Sequence, residues 1–521
     1  MDERIQINGG RGITMVTGLI LVVMATSKYR SLHTSVYDLG VFFSNLYQIS
    51  ILGIWKGIFV GHVQPFLLIW AFIYGVFPVE FAPYILLSLQ SLMLVLPGFW
   101  LARQYGILGV LALVLYFPIW YNALFDFHTD HLVVPLLFWF FLLVEKKQYR
   151  LAAVPALTLA LVKEPYALQT VACGIFLLIC KKEYRTGTLI ALAGIVYFLL
   201  CTKVLIPYFS LGGGSEVLGT SAYSWLGSGI FEMMHHVLTS PFAVLKEILW
   251  SREKLYYLIA VFGSFGFLPL FRPGYLIVAL PIFAISLLAA ENYFGIRHHY
   301  TAGLVAPMVI AFLKGKDHFL AFAEKYRVGR EGWIGVIALG MVFANIWFSP
   351  SPISRNFWLG PDSPRHSWEY HYSVYFETER DRMIKSSLEN FIPKDAPLVV
   401  SSQNTLNWAR LFNRRNYYAF PQTVFEPNPE ADWKEFSYAD FLDFPFGGPP
   451  GFIKRFVTSD RVILDLKRPW FIGDRACPWV HGQCNDKELR DKFQGFVEQA
   501  IKTHRILFEK DGFYILDRPQ N

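Results

Sequence analysis

Charge is scarce in this chain. Of 521 residues only 17% are Asp, Glu, Lys or Arg, whereas 54% are hydrophobic. That deficit excludes an ordinary soluble globular protein, which carries more charge and less apolar surface. Neither sign dominates, with 47 Lys and Arg against 40 Asp and Glu. In so apolar a chain the surplus of +7 reflects topology and gives no reason to expect a nucleic-acid partner. A Walker loop, a dinucleotide fingerprint and a Ser/His/Asp order are all missing. Gly212-Gly213-Gly214 lacks the strand–loop–helix and Gly-Lys-Ser context of a phosphate loop. No internal repeat is strong enough to support an inverted-repeat transporter. Cysteine is sparse: Cys173, Cys180 and Cys201 fall in apolar runs and read as small buried hydrophobes.

Long apolar runs are what the chain has in plenty. Between residues 12 and 349 they recur with short polar breaks, each roughly 15 to 22 residues long, about enough to cross a 30 Å hydrocarbon core as a helix. The expected fold is a polytopic α-helical membrane protein. Its spans are read at 12–28, 83–102, 106–122, 131–145, 150–163, 166–181, 186–206, 254–271, 275–290, 299–314 and 332–349, about eleven in all. The first follows Arg4 and Arg11 and has no small-x-small cleavage site, so it reads as an uncleaved anchor.

The loops sort by charge. Arg4/Arg11, Arg103, Lys146-Lys147-Arg150, Lys181-Lys182-Arg185, Arg272 and Lys314 to Arg330 form one set. The positive-inside rule places it in the cytoplasm, with the N-terminus. The alternate loops, and a tail at 350–521, then lie outside a cytoplasmic (inner) membrane. Residues 29–82 form the first long outer loop. Its runs at 41–60 and 65–79 are broken by Asn45, Gln48, Lys56, His62, Gln64 and Pro65, and are read as helices lying on the membrane face. A pair of extra spans would keep the later topology and stands as the alternative. A second outer loop, 207–253, holds another interfacial helical region from Tyr223 to Trp250.

The tail reads as a small α/β domain. Leu398 to Ser401, Arg461 to Asp465 and Arg505 to Phe508 have strand character, and Glu377 to Phe391 fits a helix. The third strand is expected to pair with Phe513 to Leu516 across Lys510-Asp511-Gly512. In an oxidising setting Cys477 and Cys484 could bridge, or stay two separate thiols.

The outer loops carry the residues suited to chemistry: Tyr37, Asp38, His62, Asp126, His128, Lys163, Glu164, Arg297, His298 and His299, with Asp130 and His131 nearby. A carboxylate at a membrane surface is expensive unless paired, hydrated or used, which singles out Asp38. Each residue also has a plainer reading. Asp38 would cap a helix beginning at Leu39, and His62 would be an interfacial polar residue. Lys163 and Glu164 would pair at a span end, and Arg297 would touch lipid headgroups. A divalent metal is an open alternative, although Asp126-x-His128-x-Asp130-His131 matches no specific ligand spacing. The layout suits transfer from a polyprenyl-phosphate sugar, with Asp38 as general base and Lys163 or Arg297 offsetting phosphate charge.

Tyr37-Asp38-Leu39-Gly40, His62 with Pro65, Asp126-Phe127-His128, Lys163-Glu164, Arg272-Pro273 and His298-His299-Tyr300 follow one another in a telling order. Together with Ile392 to Ala396, Val399 to Asn404 and Asp465, they resemble DUF2079, a family of predicted membrane proteins. That family is distantly similar to the GT-C glycosyltransferases, such as protein O-mannosyltransferases and the lipid A aminoarabinose transferase. The resemblance implies an essential acid in the first outer loop, which Asp38 matches, and juxtamembrane helices, which 41–79 match. Many GT-C enzymes carry two adjacent acids, whereas Asp38 stands between Tyr37 and Leu39. Asp126 or Glu164 would then supply the second.

The expected function is therefore hexosyl or pentosyl transfer from a polyprenyl-phosphate donor to an acceptor outside the membrane. A transporter or flippase of a lipid-linked or anionic substrate is the alternative, and would place ionisable residues near the bilayer midplane. A non-catalytic envelope protein would leave the polar loop residues scattered.

Overall fold

The computed structural model describes residues 3–34, 39–59, 62–209, 220–290, 293–323, 329–359, 370–393, 396, 398–403, 406–412, 417–420, 459–467, 498 and 500–518. The fold is mostly helical with a small sheet near the C-terminus. Among the described residues four helices are long and apolar enough to cross a membrane: Glu3–Arg30, Ala82–Val114, Tyr184–Phe209 and Arg330–Phe348. The expected eleven spans are not all of this kind. Several of the other segments are shorter helices, such as Tyr149–Val162 with 14 residues, or are cut into pieces by prolines and turns.

The first ten helices in chain order that position the site are α1 (Glu3–Arg30), α2 (Val41–Ser50), α3 (Leu67–Val76), α4 (Ala82–Val95), α5 (Pro97–Val114), α6 (Phe117–Leu124), α7 (Val133–Glu145), α8 (Tyr149–Val162), α9 (Tyr166–Phe176) and α10 (Tyr184–Leu200). Helices α2 and α3 have 10 residues each, about 15 Å of helix, half of what a hydrocarbon core requires. Inside α5, Gly106 takes φ 64° and ψ −155° and breaks the helix. Only glycine adopts that backbone without strain. The chain reverses between the spans read at 83–102 and 106–122, so that Ala102 and Val110 both meet Gly10 of α1.

Charged contacts define two poles. At one, Lys314 Nζ lies 2.7 Å from Glu145 Oε1, and the Tyr105 hydroxyl donates to the same carboxylate at 3.2 Å. Gln6, near the start of α1, accepts there from the Ile107 amide at 3.2 Å. The other pole holds the connections between α6 and α7, between α8 and α9, and before the helix Ala302–Ala323. Helix α1 thus runs from the Lys314 pole to the opposite one, where Lys28 ends its course against Leu124. The two charge classes of loop seen in the sequence are segregated in space.

Close helix contact comes from small residues. A Cβ on Gly174 of α9 would come 2.6 Å from the Gly187 carbonyl of α10, so only glycine permits this approach. Cys173 and Cys201 are buried as expected, but Cys180 is exposed. It falls in the π-helical stretch Leu177–Lys181, with its sulfur 3.9 Å from the Gly274 carbonyl.

The tail builds a five-stranded sheet, with β1 (Val400–Gln403), β2 (Tyr417–Phe420), β3 (Arg461–Asp465), β4 (Arg505–Lys510) and β5 (Phe513–Asp517) in the order β2-β1-β3-β5-β4. Strand β1 is parallel to both neighbours, and β5 is antiparallel to β3 and β4. The β4–β5 turn places Asp511 at φ 53° and Gly512 at φ 76°, the left-handed pair a tight hairpin needs. The helix Glu379–Phe391 opens with a capping box between Thr378 and Asp381. Cys477 and Cys484 lie outside the described residues.

The tail docks on the end of α1 at the pole away from Lys314. Trp408 stacks on Tyr29, with centroids 5.2 Å apart and planes at 15°. The Ala409 amide donates to the Tyr29 hydroxyl at 3.0 Å, and Arg30 pairs with Glu377 at 2.9 Å.

Candidate functional site

The connection from α6 to α7 is shaped by one glutamine. Gln90 of α4 is fully buried, and its Nε2 donates to the carbonyls of Asn122 at 3.1 Å and Asp126 at 2.8 Å. Its Oε1 accepts from the His128 amide at 2.9 Å. A buried backbone must find partners, and Gln90 provides them where the helix has stopped. Asp126 is held at φ 137°, a backbone rarely taken by a residue with a side chain.

That constraint turns the Asp126 carboxylate toward Lys28. Lys28 Nζ lies 3.9 Å from Asp126 Oδ1, with both side chains 1% exposed. The same ammonium donates to the Leu124 carbonyl at 2.7 Å and sits 5.0 Å from the Tyr370 ring centroid. The Tyr370 hydroxyl donates in turn to the Arg297 carbonyl at 2.8 Å. Arg297 stands exposed at the rim.

Histidines form the next layer. The rings of His128 and His299 stack 3.7 Å apart at 22°. Phe125 packs against His298 and His299 at 5.1 and 5.2 Å, and Phe42 of α2 packs against His128 at 5.2 Å. His299 opens the short turn leading into Ala302–Ala323, and Thr301 of that turn accepts from Asn122 at 3.3 Å.

Two buried carboxylates complete the cluster. Asp130 Oδ1 accepts from the Tyr166 hydroxyl at 2.6 Å. Its Oδ2 is buried with no hydrogen-bond partner among the described residues. Burial would raise the pKa of this carboxyl. The charges of Lys163, His299 and His128 and the Tyr166 bond outweigh it and hold Asp130 well below the carboxylate range. Glu164 accepts from His62 Nδ1 at 2.6 Å and from the Val63 amide at 2.9 Å. Burial again raises, but His62, Lys163 and the amide prevail, so Glu164 is also lowered. The Thr129 hydroxyl donates to Gln64 at 2.8 Å, tying this segment to the first.

The structure thus brings His62, Asp126, His128, Lys163, Glu164, His298 and His299 to one pole, with Arg297 at its edge. Tyr37 and Asp38 lie outside the described residues. Lys28, Gln90, Tyr166 and Tyr370 are contributors that the loop reading missed. Lys28 and Gln90 had a signal, since a lysine and a glutamine inside apolar helices need a reason. Tyr370, distant in sequence, had none. The run Asp126 to His131 does not gather around a metal: Asp126 turns to Lys28, Asp130 to Tyr166 and His131 packs on Trp70 at 5.3 Å. Among the described residues no three His, Cys, Asp or Glu side chains are disposed to hold a metal ion. The chemistry this arrangement offers is proton transfer among buried acids and imidazoles, beside cationic groups that can meet an anion.

Comparison with known families matches residues 28–424 to DUF2079, described as a predicted membrane protein. The chain belongs to the DUF2079 family. The DUF2079 match begins at Lys28 and takes in every candidate residue of the site, with the start of the tail. No curated protein and no solved structure matches the chain. Family membership supports a membrane protein.

Proposed function

We propose that this DUF2079 protein is an integral-membrane, GT-C-like glycosyltransferase that moves a hexosyl or pentosyl group from a polyprenyl-phosphate donor to an acceptor outside the cytoplasmic membrane. The observation that carries the reading is the convergence at one pole of polar groups from four separate chain segments, around residues 62–64, 126–131, 163–166 and 297–301. A scaffold protein has no need to bury two acids and two stacked imidazoles together. The positive-inside rule assigns the Lys314 pole, with its neighbouring basic loops, to the cytoplasm. The polar cluster and the tail docked beside it then face outward, where a lipid-linked donor needs no nucleotide site.

In the proposed reaction the acceptor hydroxyl oxygen forms a bond to the sugar C1 as the C1–O bond to phosphate breaks. The hydroxyl proton passes to Asp38, and the leaving group is polyprenyl phosphate, its charge met by Lys163 and Arg297. Asp38 is supported as base by its neighbours in the chain. It precedes α2, whose Phe42 ring lies 5.2 Å from His128. Asp126 and Glu164 are each held by a partner, which suits positioning. The second acid of GT-C enzymes is therefore best matched by Asp130, whose Oδ2 has no hydrogen-bond partner among the described residues.

The test uses purified protein in vesicles supplied with a polyprenyl-phosphate hexose labelled in the sugar, plus membrane extract as acceptor. Label should leave the lipid while polyprenyl phosphate accumulates. Movement of the intact glycolipid across the bilayer without cleavage would establish a flippase instead.

A further inference from the structure

Lys254 is a buried cation inside the helical body that the site does not explain. It lies in the first turn of the helix Arg252–Gly263, 2% exposed. Its ammonium has no hydrogen-bond partner among the described residues. Lys28, by contrast, is answered by Leu124 and Asp126, and Lys314 by Glu145. Around Lys254 Nζ stand the rings of Trp225 and Phe294, with centroids 5.9 and 5.7 Å away, and the charge of Glu247 reaches it without a hydrogen bond. Ring faces attract a cation but accept none of its three N–H donors. The position compounds the cost, because the N-terminal end of a helix is its positive end. A buried cation in the first turn of a helix favours an anion beside it.

The surroundings say what kind of anion. Trp225 and Phe294 are each only partly buried, so they cover the ammonium without sealing it. The two ten-residue helices leading to Lys254, Ile230–Thr239 and Pro241–Trp250, expose Phe231, Leu238, Phe242 and Trp250 at 75% or more. An apolar surface beside a buried cation fits a lipid tail below an anionic headgroup. The same segment also leads to the histidine pair: Phe294 covers Lys254, and Tyr293 packs on Tyr300 at 4.9 Å, next to His299.

We infer that Lys254, at the N-terminal turn of Arg252–Gly263 beneath Trp225 and Phe294, receives the phosphate of a polyprenyl-phosphate lipid. This rests on the transferase reading and adds Lys254 to Lys163 and Arg297 as a cation that meets the donor phosphate. Phosphate binding there completes the ammonium's hydrogen bonds and holds the sugar end toward His298 and His299.

Native mass spectrometry of the full chain, titrated with polyprenyl phosphate, polyprenol and inorganic phosphate, tests it. Lys254→Met should weaken polyprenyl phosphate at least ~10-fold, and Lys254→Arg no more than ~3-fold, as expected for loss or retention of a charge-assisted contact. Polyprenol should bind all three proteins alike. Equal binding of polyprenyl phosphate to wild type and Lys254→Met would overturn the inference and leave the transferase reading standing. Failure of wild type to prefer polyprenyl phosphate over polyprenol would instead count against the transferase reading itself. Inorganic phosphate competing as well as the lipid would make this a free-anion site and reject the lipid assignment. Wild type gives a readout that needs no lysine variant: polyprenyl phosphate should shift an emission component that Trp225→Phe removes. A shift unchanged in Trp225→Phe would also overturn the assignment.

Discussion

Lys28 and Asp126 meet 3.9 Å apart with side chains 1% exposed, one from the end of α1 and the other from a strained connection. Each charge is buried beside the other. Substituting Lys28→Met is expected to lower stability by about 3–5 kcal/mol, because it removes the cation beside a buried carboxylate. Lys28→Met combined with Asp126→Asn should recover more than half of that loss. Melting in detergent measures both, and a Lys28→Met protein that melts like wild type would contradict the pairing.

The second prediction concerns acid. Glu164 is held below its ordinary range although burial raises it, because His62, Lys163 and the Val63 amide favour the carboxylate. A group with a lowered folded pKa stabilises fully above its unfolded value, about 4.3, and loses that contribution as pH falls through the folded value. Wild-type melting temperature should therefore drop more steeply below about pH 4 than that of Glu164→Gln. Parallel curves would show that the His62–Glu164 contact does not carry this stability.

Tyr166 separates structure from chemistry at Asp130. Removing its hydroxyl in Tyr166→Phe takes away a hydrogen bond to a charged group, an effect of about 1.5–3 kcal/mol. The freed Asp130 carboxylate should become easier to protonate, moving the acid limb of the transfer rate upward in pH. A lower rate with an unshifted profile would mean that Asp130 only shapes the loop.

Docking of the tail gives a prediction independent of catalysis. The Tyr29–Trp408 stack and the Ala409 bond to Tyr29 join it to α1. Stacked aromatic pairs contribute about 0.5–1.5 kcal/mol beyond their buried area. Trp408→Ala should therefore hasten proteolytic release of the tail several-fold while leaving the helical body intact. Unchanged cleavage would place the main hold elsewhere, as at Arg30 and Glu377.

Where the sequence was legible, a single physical rule was at work. Arg461–Asp465 reads as a strand from its β-branched run, and Asp511-Gly512 reads as a hairpin turn because only such residues accept the required backbone. The polar loop residues were found because charge near hydrocarbon needs a purpose. Strand β2 was missed: Tyr417–Phe420 is a four-residue edge strand, and its parallel partner lies across a crossover that no local pattern announces. Lys28 was hidden inside an apolar helix, and its role depends on a connection distant in sequence. Cys180 was misread as buried because composition does not say which face of a helix packs. The break at Gly106 falls at the boundary between the spans read at 83–102 and 106–122, whereas helices shortened by prolines leave the count of eleven spans unshown.

Asp38 carries the central claim, as proposed base for sugar transfer. The direct measurement is the rate at which polyprenyl phosphate is released from its sugar by wild type and by Asp38→Asn, with lipid binding checked in parallel. Loss of a general base predicts a fall of about 10²–10⁴-fold with binding unchanged. An Asp38→Asn protein that releases polyprenyl phosphate at the wild-type rate would contradict the account.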